Sequence, residues 1–187
     1  HTMRSAAYAF NDSSSSDYLI DLATNESISI YTDSSYGPAE SYLEIGKGSV
    51  AKSFDLNNDS FFSVGYYPAD GLVANLSAGT VVRDGVTDTF TGNPTGFGLF
   101  EASNDDDSIT MGGNVFIGAF GAGGNDTILG SDGFDQIEGG EGDDYIEGGD
   151  GGDAMYGGYF DSNSGNDTLA YTASDAAVTI NLGTGTA

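Results

Sequence analysis

The chain has no cysteine and no tryptophan, and its single histidine is His1, within a His1-Thr2-Met3 start that reads as a cloning remnant. Without cysteine there are no disulfides and no thiolate metal sites. Without an internal histidine, neither an HExxH zinc site nor a Ser-His-Asp triad can be assembled. Basic residues are nearly absent too: Arg4, Lys47, Lys52 and Arg83 face 29 acids, for a formal net charge of −25. No basic patch is left to neutralise phosphates, so nucleic acid is not expected as a partner. An anionic membrane surface fails for the same reason. No run approaches the ~18 apolar residues of a membrane span, and no amino-terminal secretion signal is visible. With 187 residues, one domain or two small ones can form.

What the chain does have is acid and glycine, and both are patterned. After Arg83 there are 19 acidic residues and no basic one. Such a density opposes a compact state through self-repulsion, so bound cations are expected. Between Gly121 and Tyr156 the chain repeats every nine residues, as GAGGNDTIL, GSDGFDQIE, GGEGDDYIE and GGDGGDAMY. Asp126, Asp135, Asp144 and Asp153 hold the sixth position, and Ile128, Ile137, Ile146 and Met155 the eighth. A solvated Gly/Asp linker has no reason to keep an apolar residue in phase, so the segment is read as structured.

Each copy divides into a turn of six residues and a strand of three. Glycines permit the positive φ angles of a tight turn and leave carbonyl oxygens uncovered. The sixth-position Asp adds a carboxylate, and the eighth residue points inward from the strand. Two copies make one coil of 18 residues, so turns on one side stack at that spacing. Asp126 is then expected over Asp144, and Asp135 over Asp153. Stacked turns offer only oxygens, which suits calcium, a hard cation taking about 6–8 oxygen ligands. A fifth copy starts at Gly157, is interrupted from Phe160 to Ser164, and resumes at Gly165, which would bring Asp167 over Asp144. Upstream, Ser103 to Ile109 is a degenerate copy with Asp107 in register, and Met111 to Phe120 reads as a ten-residue coil without a metal site.

Three zones follow. Residues 4–67 form an N-terminal β-rich region, with strands expected at Tyr18–Leu22, Ile28–Tyr31, Tyr42–Ile45, Phe54–Leu56 and Phe61–Tyr67. Residues 68–110 form a transition containing the degenerate repeat. Residues 111–187 hold the strict repeats and an exit strand. Leu72 to Thr80 is echoed by Val178 to Thr186, which suggests an excerpt from a longer protein. A weaker echo at Tyr18–Leu22 leaves open a single continuous roll.

The strict repeats, with the flanking VTINLGTGTA strand, give residues 68–187 a resemblance to the haemolysin-type, or RTX, calcium-binding proteins of bacteria. The resemblance implies an all-β fold, a right-handed parallel β-roll, type I secretion and folding on external calcium. It implies a metal set of Asp126, Asp135, Asp144, Asp153 and Asp167, to which the register of the degenerate copy adds Asp107 as a candidate. Turn oxygens of Gly121, Gly123, Gly130, Asp132, Gly139, Glu141, Gly148, Asp150 and Gly157 would complete it, with three or more Ca2+ per chain. Ala122 and Ser131 depart from the family pattern at the second position.

The function expected is therefore a calcium-binding, non-catalytic module of a secreted protein, placed outside the cell or on its surface. Two alternatives stay open, an adhesin module gripping polysaccharide or a cell surface, and an accessory region of a secreted enzyme whose catalytic domain lies elsewhere. Asp161 to Asp167 alternates oxygen side chains as a calcium loop does, yet reads better as a solvated bulge. Asp105, Asp106 and Asp107 are a solvated acidic turn or a metal site at the roll's entrance. The aromatics of 4–67 read as core rather than as sugar platforms. Paired carboxylates for glycosidic chemistry cannot be singled out among so many acids.

Overall fold

The nine-residue period becomes two facing sheets because successive repeats send their short strands to opposite sides of a coil. The computed structural model describes residues 6–10, 18–22, 28–33, 40–45, 51, 53–55, 61–66, 70–91, 97–112, 116–158 and 165–174. Among these there are strands and turns and no helix. Numbered along the chain, β1 (Ala6–Phe10) and β2 (Tyr18–Leu22) form an antiparallel pair of their own. One large sheet contains β3 (Ile28–Asp33), β4 (Glu40–Ile45), β6 (Phe61–Tyr66), β10 (Phe97–Glu101), β12 (Phe116–Gly123), β14 (Gln136–Glu141) and β16 (Ala154–Tyr156). The other contains β5 (Ser53–Asp55), β7 (Val73–Asn75), β8 (Thr80–Arg83), β9 (Val86–Thr91), β11 (Ser108–Thr110), β13 (Thr127–Leu129), β15 (Tyr145–Glu147) and β17 (Thr168–Ala170).

From β10 onward the chain alternates strictly between the sheets, and every neighbouring pair is parallel. This is a parallel β-roll, as the repeat pattern requires. Its register keeps the spacing of the sequence. Ile128 pairs with Ile146 and Ile137 with Met155, each 18 residues apart. The ten-residue coil shifts one step, so that Ile109 meets Ile128, and the interruption stretches another, so that Ile146 meets Leu169. The strands of the first zone lie close to their expected positions, and β6 pairs in parallel with β10 through Val64 and Phe100. One of the two sheets that carry the repeats therefore also contains β4 and β6.

The core is two stacks of inward side chains. Ala74, Ile109, Ile128 and Ile146 come from one sheet; Val64, Phe100, Ala119 and Ile137 come from the other; all are buried. Phe100 and Ala119 are neighbours in register, so the large ring lies beside the smallest side chain of its stack. At the far end burial fades: Met155 is half-buried and Leu169 exposed. Two strands depart from the expected length of three. β12 and β14 continue through the first three turn positions, pairing Ala122 with Gly140 and Gly123 with Glu141. The near absence of side chains there lets turn backbone join the sheet.

In the other sheet the roll gives way to antiparallel pairing beyond β7. Leu72, Ala74 and Leu76 alternate inward, and β7, β8 and β9 form a meander. Asp84 and Gly85 join β8 to β9 with φ of 48° and 77°, the paired positive angles of a two-residue hairpin turn. Inside it Arg83 is buried against Asp88, its Nε donating to Oδ2 at 2.7 Å. The Tyr66 hydroxyl donates to the same oxygen at 3.2 Å, and the Arg83 guanidinium lies 5.9 Å from the Tyr66 ring centre. Tyr66 also packs on Phe100, with 5.8 Å between ring centres. Tyr66 is thus core, as the aromatics of its zone were expected to be.

Removing one partner of a buried ion pair leaves the other charge uncompensated, a loss of about 3–5 kcal/mol. Arg83→Leu should destabilise the protein by that order in urea unfolding with calcium saturating. Adding Asp88→Leu should restore part of the loss.

Candidate metal centre

The sixth-position Asp residues stack into a column whose backbone and side chains are laced together. Leu72 N–H donates to Asp107 Oδ1 at 2.6 Å, Asp107 N–H to Asp126 Oδ1 at 2.8 Å, Asp126 N–H to Asp144 Oδ1 at 2.8 Å, and Asp144 N–H to Asp167 Oδ1 at 3.1 Å. On the opposite side of the coil Asp135 N–H donates to Asp153 Oδ1 at 3.1 Å. All three pairs expected from the sequence are brought together: Asp126 with Asp144, Asp135 with Asp153, and Asp144 with Asp167.

In each pair one carboxylate oxygen is used by the preceding coil. The second oxygen distinguishes the sites. Oδ2 of Asp126 and Oδ2 of Asp144 are buried and have no hydrogen-bond partner. An unpaired buried carboxylate oxygen is costly, and charged groups out of water are normally paired or bound to metal. Glycine shows where these oxygens point. A Cβ on Gly121 would collide with Asp126 Oδ2 and the Gly139 carbonyl oxygen, and a Cβ on Gly139 with Asp144 Oδ2. The Gly157 carbonyl oxygen lies 2.6 Å from that second Cβ position. Carboxylate and carbonyl oxygens thus converge on a space that any side chain would fill. An all-oxygen, negatively charged set of irregular shape fits a hard divalent cation of calcium type. Among the described residues no three acidic or histidine side chains converge, so most donors must be backbone carbonyls.

The other expected ligands surround these points. Gly123 and Glu141 pair across strands and line a cleft of ≈ 560 Å³ with Asn104, Ala122, Gly124, Asn125 and Gly142. Gly130 faces the Gly148 carbonyl oxygen and Asp135 Oδ2, Gly148 faces Asp153 Oδ2, and Gly157 faces Asp167 Oδ2. Asp132 is exposed and Asp150 half-buried. Asp107 is buried, whereas Asp105 and Asp106 are exposed. The loop residues Asp161 to Ser164 and the exit strand from Val178 to Thr186 lie outside the described residues.

Residues 120–158 match the family model of the RTX calcium-binding nonapeptide repeat, in four copies. The segment is an RTX calcium-binding repeat array. No curated protein and no solved structure matches the chain.

The RTX array also contains a ladder that the motif does not announce. At the fifth position, Asn125 N–H donates to Asp106 Oδ1 at 2.7 Å, Asp143 N–H to Asn125 Oδ1 at 2.9 Å, and Asn166 N–H to Asp143 Oδ1 at 2.8 Å. It runs outside the Asp column and ties the same four turns together. Asn or Asp recurring at the fifth position with coil spacing is the signal that could have revealed it. Among the described residues, the other side of the coil carries Phe134 and Gly152 at that position, neither of which has a side-chain oxygen for such a ladder.

Burial pushes the Asp126 carboxyl up from an ordinary 3.8 to about 7. The Asp107 N–H opposes this, while the charges of Asp107, Asp144 and Asp106 add to it. Burial likewise raises Asp107, Asp135, Asp144 and Asp153. The folded metal-free array therefore holds protons that the unfolded chain releases. Its stability is greatest in acid and falls as pH rises between 3.8 and about 7. Calcium displaces those protons, so its affinity should change the other way, tightening over the same rise in pH. Calorimetric titrations in buffers spanning that window should show tighter binding and fewer protons released toward neutral pH.

Substituting Gly139 should be severe, because its absent side chain leaves the space where Asp144 Oδ2 and the Gly157 carbonyl converge. Gly139→Ala should lose one calcium per chain, whereas Gly152→Ala, where a Cβ meets nothing within 4 Å, should bind as the unaltered protein does. Calcium counted by equilibrium dialysis checks both.

Proposed function

We propose that this chain is a calcium-dependent, non-catalytic module of a secreted protein, and that calcium binding and folding are one event. The observation that carries the reading is the pair of buried, unpartnered oxygens, Asp126 Oδ2 and Asp144 Oδ2, each set beside glycine carbonyls of the next coil. Asp126 with Asp144, and Asp144 with Asp167, would hold the ions, together with turn carbonyls including those of Gly139 and Gly157. Calcium supplies the positive charge that the array lacks. The non-catalytic reading is supported by the lack of cysteine and of any internal histidine.

The coupling follows from what the unfolded chain cannot offer. Its cage oxygens come from turns about 18 residues apart or more, which no local segment assembles, so binding free energy becomes folding free energy. Residues 101–169 carry 16 acids and no base, and the coils stack them at the ~5 Å spacing of neighbouring strands. One inward side chain per repeat is a thin core against an ordering cost of ~1–2 kcal/mol per residue. Extracellular calcium modules commonly bind at ~10⁻⁴–10⁻³ M. A chain of that affinity stays unfolded inside a cell and orders outside it, which suits export in an unfolded state.

Far-UV circular dichroism and hydrogen exchange during a calcium titration test this directly. Amides of 116–158 should gain protection with calcium and lose it with EDTA; equal protection in both would refute the coupling. Asp144→Ala should raise the calcium midpoint by at least about tenfold, since loss of even an outer support of a metal has that effect. It should exceed Asp153→Ala, because Asp144 serves two gaps.

A further inference from the structure

Two turns of the roll place serine where the repeat has its second glycine, and both are built alike. They are 102–107, with Ser103, and 130–135, with Ser131. Ser103 N–H donates to Asp107 Oδ2 at 2.7 Å, and Ser131 N–H to Asp135 Oδ2 at 2.6 Å. The Ser103 hydroxyl lies 3.0 Å from each Asp107 carboxylate oxygen, and the Ser131 hydroxyl 3.1 and 3.0 Å from those of Asp135. Each serine Oγ in turn accepts the N–H two residues on, from Asp105 and from Gly133, both at 3.2 Å. The same contacts recur although the residues between serine and Asp differ completely.

The remaining strict repeats adopt another shape. At their second and fourth positions φ is 76° and 102° for Ala122 and Gly124, 116° and 122° for Gly140 and Gly142, and 92° and 119° for Gly149 and Gly151. Ser131 and Gly133 have no positive φ. An alanine at positive φ is unfavourable, yet Ala122 takes that shape, while Ser131 does not. The difference is the hydroxyl, which gives the serine turn a partner of its own.

Which oxygen the serine takes is decisive. In the gap between turns 121–126 and 139–144, the oxygen facing the next coil is Asp126 Oδ2, and it is free of hydrogen bonds. In the gap between 139–144 and the turn ending at Asp167 it is Asp144 Oδ2, equally free. Its counterparts in the two serine turns are Asp107 Oδ2 and Asp135 Oδ2, and both already accept a serine N–H and lie within reach of its hydroxyl. A cation entering there would have to displace those donors and turn the backbone through a φ region that serine avoids.

We propose that Ser103 and Ser131 stand in for calcium: each closes its turn by hydrogen-bonding the sixth-position Asp, so the gaps after Asp107 and Asp135 take no ion and calcium is confined to the Asp126–Asp144–Asp167 column. The serines are specificity determinants that set how many ions the roll takes and on which side. Ser103 also gives the first coil a turn that needs no metal, seated on β7 through the Leu72–Asp107 bond. This rests on the calcium reading above.

The test is calcium stoichiometry of the full chain by isothermal titration calorimetry at saturating calcium. Ser131→Gly should bind one more calcium per chain than the unaltered protein, and so should Ser103→Gly. Ser131→Thr keeps the hydroxyl and should bind the unaltered number. Unchanged counts in both glycine variants would overturn the proposal, as would a gain in Ser131→Thr. Anomalous scattering that places calcium between turns 130–135 and 148–153 of the unaltered protein would do the same, and it needs no variant to fold. Absence of calcium from every form overturns the calcium reading and this proposal together, whereas equal numbers bound by serine and glycine forms overturn this one alone.

Discussion

A buried carboxylate oxygen without a partner is the constraint around which this roll is organised. The nonapeptide places one Asp per coil on each side, directed inward, where its Oδ1 stitches one turn to the previous one. That geometry is favourable for Oδ1 and unfavourable for everything else about the residue. The charge is out of water, its second oxygen is unsatisfied, and identical charges lie one coil above and below. Raised proton affinity along the column is the same conflict expressed in the metal-free state. Two remedies fit the turn, a divalent cation shared with glycine carbonyls or a donor supplied by a neighbouring side chain. The glycine turns are shaped for the first and the serine turns for the second.

The upstream part of the molecule solves its charge problem differently. Around Tyr66, Arg83 and Asp88 a basic residue is spent on a buried acid, under a hairpin and against Phe100. Large side chains such as Phe100, Leu72 and Met111 fill this end, whereas the strict repeats offer one isoleucine or methionine each. The packing thus changes in kind along the chain, from large apolar side chains and an internal ion pair to stacked turns with buried acids and one inward side chain per repeat.

Much of this was legible in the residues. The nine-residue phase fixes which side chain points inward and which Asp lies above which. The ten-residue coil and the interruption after Tyr159 set the offsets that the strands keep. Short-range rules suffice here, because a repeat that stacks on itself carries its tertiary neighbours in its own period. The fifth-position ladder was less visible, since Asn and Asp alternate there and one side of the coil lacks it.

The sequence by itself determined the roll, its inward stacks and the pairing of the Asp residues, because all three follow from periodicity. Only the tertiary structure decided which carboxylate oxygens remain free. A serine and an alanine in the same motif position look like equivalent departures from glycine when read as letters. In the fold, the serine hydroxyl reaches the Asp four residues on and the backbone has no positive φ there, while alanine has no hydroxyl to offer and takes the positive φ of Gly140 and Gly149, which hold the same position in other repeats. Likewise Arg83 and Asp88 are two charges in a hairpin sequence until β8 and β9 turn them inward beneath Tyr66. Such outcomes depend on side-chain direction and on burial by other coils, and neither is encoded by spacing.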